Sequence, residues 1–281
     1  MIELGANRYG KAAIRLVKVV REPHRHRIRD LTVAVTLEGA FDAAHTAGDN
    51  ALVVPTDTMK NTVYALAPEH LSGSIEAFGQ VLADHFLGAT QVARATVAIR
   101  EHRWTPIATS AGPAPHAFLR TGDFTRTATV SATRESIGVE AGIEDLTVMK
   151  STDSAFAGFP RDRYTTLREV DDRIMATKVA ATWRYTAPVP DPDGAFEGVV
   201  GTLLGVFADH FSPSVQNSIW LMGRAILERH PEVDEVRMAL PNLHHWLVDL
   251  SPFGQENRGE VFVATSEPYG LIEATVRRSS G

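Results

Sequence analysis

One order of hydrophobic patterning runs through the chain twice, and it restricts the possible folds more than any other feature. Leu31, Val33, Val35 and Leu37 alternate with Thr32, Ala34, Thr36 and Glu38, the period of a strand with one apolar face. Ile75, Phe78, Gly79, Leu82 and Phe86 then fall at the spacing of an amphipathic helix. Strand-like composition returns over residues 92–104 and 118–139. The second half repeats the order. Strand patterns near residues 146–150 and 178–185 precede helical spacing in Phe196, Val199, Val200, Leu203, Leu204 and Phe207, and again in Val215, Ile219, Met222 and Ile226. Val236, Met238 and Leu240 alternate, and Ile272, Ala274 and Val276 close the chain as a strand.

Shorter signals fill the gaps. Residues 14–20 are β-branched and read as the hairpin partner of the strand at 31–37, with the basic run Arg21, His24, Arg25, His26, Arg27 and Arg29 as a solvated tip. Residues 56–66 read as a helix, with Thr56 placed like its N-cap and Asp57 favourable to the dipole. The Pro/Gly-rich stretch 106–115 reads as a connection, and 188–194 as a stiff loop before the next helix. Lys60-Asn61-Thr62-Val63-Tyr64 also matches Gln216-Asn217-Ser218-Ile219-Trp220 in character. A chain of 281 residues has room for two domains. The expectation is therefore α+β: two similar modules, residues 1–140 and 141–281, each an antiparallel sheet with helices on one face. Exposed sheet edges then call for oligomerisation that continues the sheets across chains.

Composition removes several function classes. Twenty-eight Lys and Arg against 34 Asp and Glu give a net charge of −6, which disfavours a nucleic-acid partner. The absence of cysteine excludes disulfides, thiolate nucleophiles, iron–sulfur clusters and Cys-based zinc sites. No apolar stretch approaches the ~20 residues of a membrane-spanning helix. The start, Met1-Ile2-Glu3-Leu4, lacks signal-peptide character, and Arg278-Ser279-Ser280-Gly281 is neither a lipidation signal nor a peroxisomal Ser-Lys-Leu. A cytoplasmic protein without a membrane partner is expected. GxGxxG, P-loop, HExxH and GxSxG motifs are all missing, so no nicotinamide, flavin, haem or metal is expected.

Four patches carry polar residues in pointed arrangements: Asn7-Arg8-Tyr9-Gly10-Lys11, the stretch from Val54 to Thr62, Lys150-Ser151-Thr152 through Leu167, and Leu240-Pro241-Asn242-Leu243-His244-His245. Singly, each has an ordinary account. Thr56 could be only a helix cap, Lys11 a solvated strand-end charge, Phe156 a core ring and Arg173 a salt-bridging helix residue.

Together they resemble the urate oxidase family over essentially the whole chain. The resemblance rests on Arg8-Tyr9-Gly10-Lys11, on Thr56-Asp57 with Lys60-Asn61-Thr62, and on Lys150-Ser151-Thr152. It continues through Phe156-Ala157-Gly158-Phe159, Arg161-Asp162, Tyr164-Thr165-Thr166-Leu167 and Asp172-Arg173-Ile174. Val215-Gln216, Leu240-Pro241-Asn242 with His244, and Glu267-Pro268-Tyr269-Gly270-Leu271-Ile272 complete it. It implies tandem tunnelling-fold modules and a homotetramer whose sheets form a tunnel-shaped barrel. It also implies cofactor-free oxidation of urate by dioxygen and water to 5-hydroxyisourate and hydrogen peroxide. Removing a second proton makes urate a strong reductant, so the protein's tasks reduce to positioning and acid–base work.

The resemblance assigns roles residue by residue. Arg173 and Gln216 grip the purine edge, a guanidinium fork suiting an anionic heterocycle and an amide both donating and accepting. Phe156 stacks on the purine face with Leu167 beside it, and the Val215 amide and Thr56–Asp57 touch the substrate rim. Lys11, Thr56 and His244 form a proton relay, and Asn242 with Thr56 flanks the dioxygen position. Thr56 and Asp57 come from a neighbouring chain, and Lys11 and Thr56 are expected to reach one site from different chains. Leu243 stands where a basic residue is frequent in the family. Two other readings remain at this point: a tunnelling-fold protein acting on another purine or a pterin through a carboxylate anchor, and a purine-binding oligomer without a relay.

Overall fold

The computed structural model describes residues 2–279. Met1, Ser280 and Gly281, on which the targeting reading partly rests, lie outside the described residues. Residues 1–142 with 184–193 form one compact unit, and residues 143–183 with 194–281 form another. No described helix is long and apolar enough to cross a membrane.

The first unit begins with β1 (Tyr9–Arg21) and β2 (His26–Gly39), an antiparallel pair whose register shifts between Lys11 and Ile14, where Ala13 takes a φ of 55°. The chain continues through α1 (Asp42–Thr46), α2 (Thr56–His70), α3 (Ile75–Leu87), β3 (Val92–Glu101), β4 (Trp104–Thr109), β5 (Gly112–Arg120) and β6 (Thr125–Ala132). The strand order is β1-β2-β3-β6. Leu31, Val33, Val35 and Leu37 are all buried, as their alternation requires, and pack in one core with Val97, Ile99 and Val130. The helices supply the opposite wall through Met59, Val63, Ile75, Phe78 and Leu82.

Local details differ from the sequence reading in three places. The basic run is not all turn. Arg27 and Arg29 lie inside β2, and Arg29 is largely buried against Glu101, because strand pairing extends down to His26. Residues 106–115 are mostly the two strands of a hairpin, β4 with β5, turning between Thr109 and Gly112. Pro106 and Pro113 are tolerated on a two-stranded ribbon that leaves edge positions without a ladder partner. Thr56 is the first residue of α2 and not its cap. Pro55 occupies the cap position with an extended ψ of 135°, and no side chain caps the helix. Its hydroxyl is thereby left for other work.

The second unit holds β7 (Ile137–Lys150) from residue 143 onward and β8 (Met175–Tyr185) up to residue 183. It continues with α4 (Pro192–Asp209) from residue 194, α5 (Val215–Arg229), β9 (Val233–Leu247) and β10 (Phe262–Arg277). The order is β7-β8-β9-β10, with β9 and β10 antiparallel. Ile219, Met222 and Ile226 of α5 are buried with Val236, Met238 and Leu240 of β9 and Val276 of β10. The similarity of Lys60–Tyr64 to Gln216–Trp220 is real in that both lie on helices, but the offsets differ. Lys60 is the fifth residue of α2 and Gln216 the second of α5. By position, the helix heads Thr56–Asp57 and Val215–Gln216 correspond instead.

The seat of α5 depends on Gly223. A Cβ there would lie 2.6 Å from Val276 Cγ2 and 2.8 Å from its Cβ, too close for any rotamer to relieve. Gly223→Ala should therefore destabilise the protein by roughly 1–3 kcal/mol, the range for overpacking. Gly201→Ala, in α4 with nothing within 4 Å, should instead stabilise it by about 0.4–1 kcal/mol. Urea midpoints of the two variants should move in opposite directions.

Candidate active site

One cavity of about 370 Å³ gathers seven of the residues singled out by sequence: Phe156, Leu167, Arg173, Val215, Gln216, Asn242 and His244. All belong to the second unit. Three separate pieces of chain, with Ile272 of β10, build its wall.

The first piece is the irregular segment between β7 and β8. Phe156 and Val170 form an antiparallel bridge, with N–H···O distances of 2.8 and 3.1 Å, which closes residues 157–169 into a loop carrying the exposed Leu167. Phe156 is half-buried and stacks on Phe159 at 5.1 Å between centroids. Arg173 follows, its amide donating to the Ser154 carbonyl at 2.8 Å and its guanidinium 5.4 Å from the Phe156 ring centre. The second piece is the head of α5. Ser214 caps it by accepting from the Asn217 amide at 3.2 Å, and Val215 and Gln216 are its first two residues. Unpaired amides and the helix dipole favour an anion at such a head.

The third piece is β9. Asn242, His244 and Trp246 share a face because strand side chains repeat every second residue. Their partner β10 shifts register between Thr265 and Gly270, a bulge of the kind that re-aims side chains near sites. Asn242 Nδ2 and His244 Nδ1 are 3.5 Å apart, and the His244 ring stacks on Trp246 at 5.3 Å.

Charge distinguishes this cavity. Its walls include Arg168, Arg173, His244 and His245 and no Asp or Glu, in a chain whose net charge is −6. Arg173 is not on a helix, and among the described residues its guanidinium has no carboxylate partner. Its Nε is buried with no hydrogen-bond partner. Burial lowers its pKa from the usual guanidinium value, as desolvation of a cation must. A desolvated cation without a counter-charge, beside an aromatic ring and a helix head, is arranged to take a planar anion.

Lys11, Thr56 and Asp57 do not line the cavity; they form a second group, in the first unit. Lys11 is half-buried on β1 at the register shift. Asp57 is exposed and accepts from Lys60 Nζ and, at 3.0 Å, from Asn61 Nδ2. Its carboxyl is held below the ordinary value chiefly by Lys60, with Lys11 adding a smaller Coulombic pull. Lys11 and the head of α2 are therefore neighbours within one chain. Tyr9, quoted in a motif but given no role, fixes this group. Its hydroxyl accepts from the Val54 amide at 2.8 Å and donates to the Val54 carbonyl at 3.2 Å, while its ring packs edge-on against Phe41. Burial raises the Tyr9 pKa. The contact spans 45 residues, so no local signal marks it. Arg168, His245 and Trp246 were likewise missed as wall residues.

Comparison with known proteins bears on all of this. The family model described as Uricase matches residues 7–131 and 139–273. A uricase of Arthrobacter globiformis is 50% identical over 99% of this chain and 90% of its own length. One from Dictyostelium discoideum is 40% identical over 99% of each. The crystal structure of the Arthrobacter globiformis uricase superposes with a TM-score of 0.96, covering 100% of this chain and 96% of that one. That of a Bacillus fastidious uricase gives 0.84 at 26% identity, covering 97% and 94%.

The unpaired Arg173 has a consequence for stability. A site that keeps a desolvated charge for a ligand does so against the stability of the empty protein. Arg173→Met should raise the thermal unfolding midpoint of ligand-free protein, equivalent to about 0.5–2 kcal/mol. A lowered midpoint would mean that the guanidinium is a structural ion and not a ligand group.

Proposed function

The chain belongs to the uricase family, and we propose, with that as premise, how its residues carry out the family's reaction. Urate, dioxygen and water yield 5-hydroxyisourate and hydrogen peroxide. Two electrons leave the purine for dioxygen, and a water oxygen becomes the new hydroxyl. The observation that carries the reading is the unpaired Arg173 guanidinium in a cavity without acids. Arg173 and Gln216 hold the carbonyl and ring-nitrogen edge of the anion, and the Val215 amide at the head of α5 adds a donor. Phe156 and Leu167 cover the ring. The reading for another purine or a pterin needs a carboxylate anchor, and none lines the cavity. Among the described residues no three His, Asp or Glu side chains are grouped to hold a metal, and no step is routed through one.

The acid–base work falls to Lys11, Thr56 and His244. A threonine hydroxyl alone is a poor base, so it must pass its proton on, and Lys11 is the neighbour that takes it. His244 moves or orients the proton on the opposite side, with Asn242 and Thr56 flanking dioxygen and later water. Asp57 braces the head of α2 through Lys60 and Asn61. This assignment needs both groups in one place. We place them there through a homotetramer in which the Lys11–Thr56–Asp57 group of one tunnelling-fold module completes a neighbouring chain's cavity. A cytoplasmic location is proposed on likeness to the Arthrobacter globiformis relative.

The direct test is spectroscopic. Purified protein should bleach the urate absorbance with consumption of one dioxygen per urate and release of peroxide. Binding without bleaching would leave a purine-binding oligomer in its place.

Assembly makes a sharper prediction. Thr56→Ala and Arg173→Ala damage different halves of each shared site. Co-expressed, they should recover about a quarter of wild-type activity, the fraction of sites that draw both intact halves in a randomly mixed ring. Lys11→Ala with Thr56→Ala should recover nothing, because both lie in the same half. Recovery by neither pair, in oligomers shown to contain both chains, would mean that each site is built within one chain.

A further inference from the structure

Behind the cavity lies a buried knot of hydroxyls that the reaction does not use. Ser154, Ser212 and Ser218 are each fully buried. Residues 154 and 212 form a parallel bridge: the Ser212 amide donates to the Asp153 carbonyl at 2.9 Å, and the Ala155 amide donates to the Ser212 carbonyl at 2.8 Å. The Arg173 amide donates to Ser154 from the other side. Phe156 is two residues beyond this bridge in one direction, and the α5 head at Val215 three residues beyond in the other. The bridge is thus the shared root of all three grips on the ligand: the ring, the guanidinium and the helix head.

Side chains lock the root. Ser212 Oγ lies 2.8 Å from Ser218 Oγ and 3.1 Å from the Ser214 carbonyl, at the capping residue of α5. Ser218 Oγ lies 2.8 Å from His210 Nε2, and His210 Nδ1 lies 2.5 Å from the Val206 carbonyl. A carbonyl can only accept, so Nδ1 carries the hydrogen. In the neutral ring Nε2 then accepts from Ser218, and the single Ser212 hydrogen is shared among Ser218 Oγ, the Ser214 carbonyl and Met175 Sδ. Lys150 Nζ donates to the His210 carbonyl and ties the end of β7 to the same point. The Ser212 and Ser218 hydroxyls are each partnered, while the buried Ser154 Oγ has no partner, so the bonded pair is what joins the end of α4 to the α5 cap and rigidifies it.

We propose that Ser212 and Ser218 are positioning residues: they set the spacing between Phe156, Arg173 and the α5 head, and so the fit of the purine. The proposal rests on the reading of this cavity as the urate site. The body of α5 is held by Ile219, Met222 and Ile226 independently of the hydroxyls, so their removal loosens the grip and leaves the fold in place. Neither hydroxyl touches substrate, so the relay and the chemical step are unaffected.

The test uses the full-length protein, with steady-state turnover of urate and equilibrium binding of xanthine, a purine lacking the 8-oxygen. Ser212→Ala and Ser218→Ala should each raise the urate KM and the xanthine Kd by roughly three- to tenfold, the effect of one lost hydrogen bond. Their kcat should stay within about twofold, with an unchanged pH profile, because only ground-state and transition-state binding are lost together. Ser218→Thr keeps the hydroxyl and should restore KM. Combined with Gln216→Ala, the Ser212→Ala penalty should shrink, since a grip already missing cannot be misplaced. An unchanged KM with a lowered melting temperature would make the knot purely structural and overturn the proposal, as would full additivity with Gln216→Ala. Failure of the wild-type protein to consume urate would instead sink the functional reading on its own.

Discussion

The desolvated guanidinium of Arg173 is the constraint around which the second unit is organised. A cation half-removed from water and left without a carboxylate is unfavourable on its own, and the fold's other interactions must hold it there. The backbone does this by pinning Arg173 to Ser154, Ser154 to Ser212, and Ser212 to the cap of α5. Packing does the rest. Gly223 lets α5 lie close on Val276, which sets the height of the Val215–Gln216 head over the sheet. The cation–aromatic contact with Phe156 offsets part of the desolvation while keeping the fork available.

The same constraint explains where the acids of this acidic chain are not. Thirty-four carboxylates against 28 basic side chains would neutralise any free guanidinium within reach, yet none lines the cavity. Elsewhere the chain pairs its charges freely. Arg126 and Glu76 are both buried and bonded in the first unit, with Asp193 sharing the guanidinium. Glu76 has a raised pKa because desolvation outweighs the pull of Arg126. Each arginine keeps a buried Nε without a hydrogen-bond partner, but Arg126 faces two carboxylates and Arg173, among the described residues, faces none, the contrast that supports reading Arg173 as kept for a ligand.

Much of this was legible in the sequence because the signals were local. The helical spacing of Ile75 to Phe86 gave α3 nearly residue by residue, and the alternation of Leu31 to Leu37 gave the second part of β2, since burial on one face leaves a period that composition cannot hide. The site residues were reachable only through the family resemblance. Nothing near Arg173 reveals that no acid will face it, and nothing near Tyr9 reveals Val54 as its partner. The errors have physical sources of the same kind. Thr56 looks like a cap because Ser and Thr usually cap, but Pro55 already fixes the entry to α2. Arg29 looks solvated because basic runs usually are, but strand pairing turns it toward Glu101, which is 72 residues away.

The two helix heads place the parts of the reaction in a common frame. Thr56–Asp57 opens α2 and Val215–Gln216 opens α5, and each helix lies over the sheet of its own unit. One fold unit used twice therefore presents two polar helix heads with different chemistry. The first offers a hydroxyl and a carboxylate beside a lysine; the second offers an amide side chain and open backbone donors beside an arginine. Under the proposed function the second holds the anion and lends His244 to the relay, while the first supplies Lys11 and Thr56. Divergence after repetition would give this division directly, since each head could specialise while its twin kept the other task. On that proposal assembly is part of the chemistry, because the cavity of one chain needs the hydroxyl and the lysine of another brought to it.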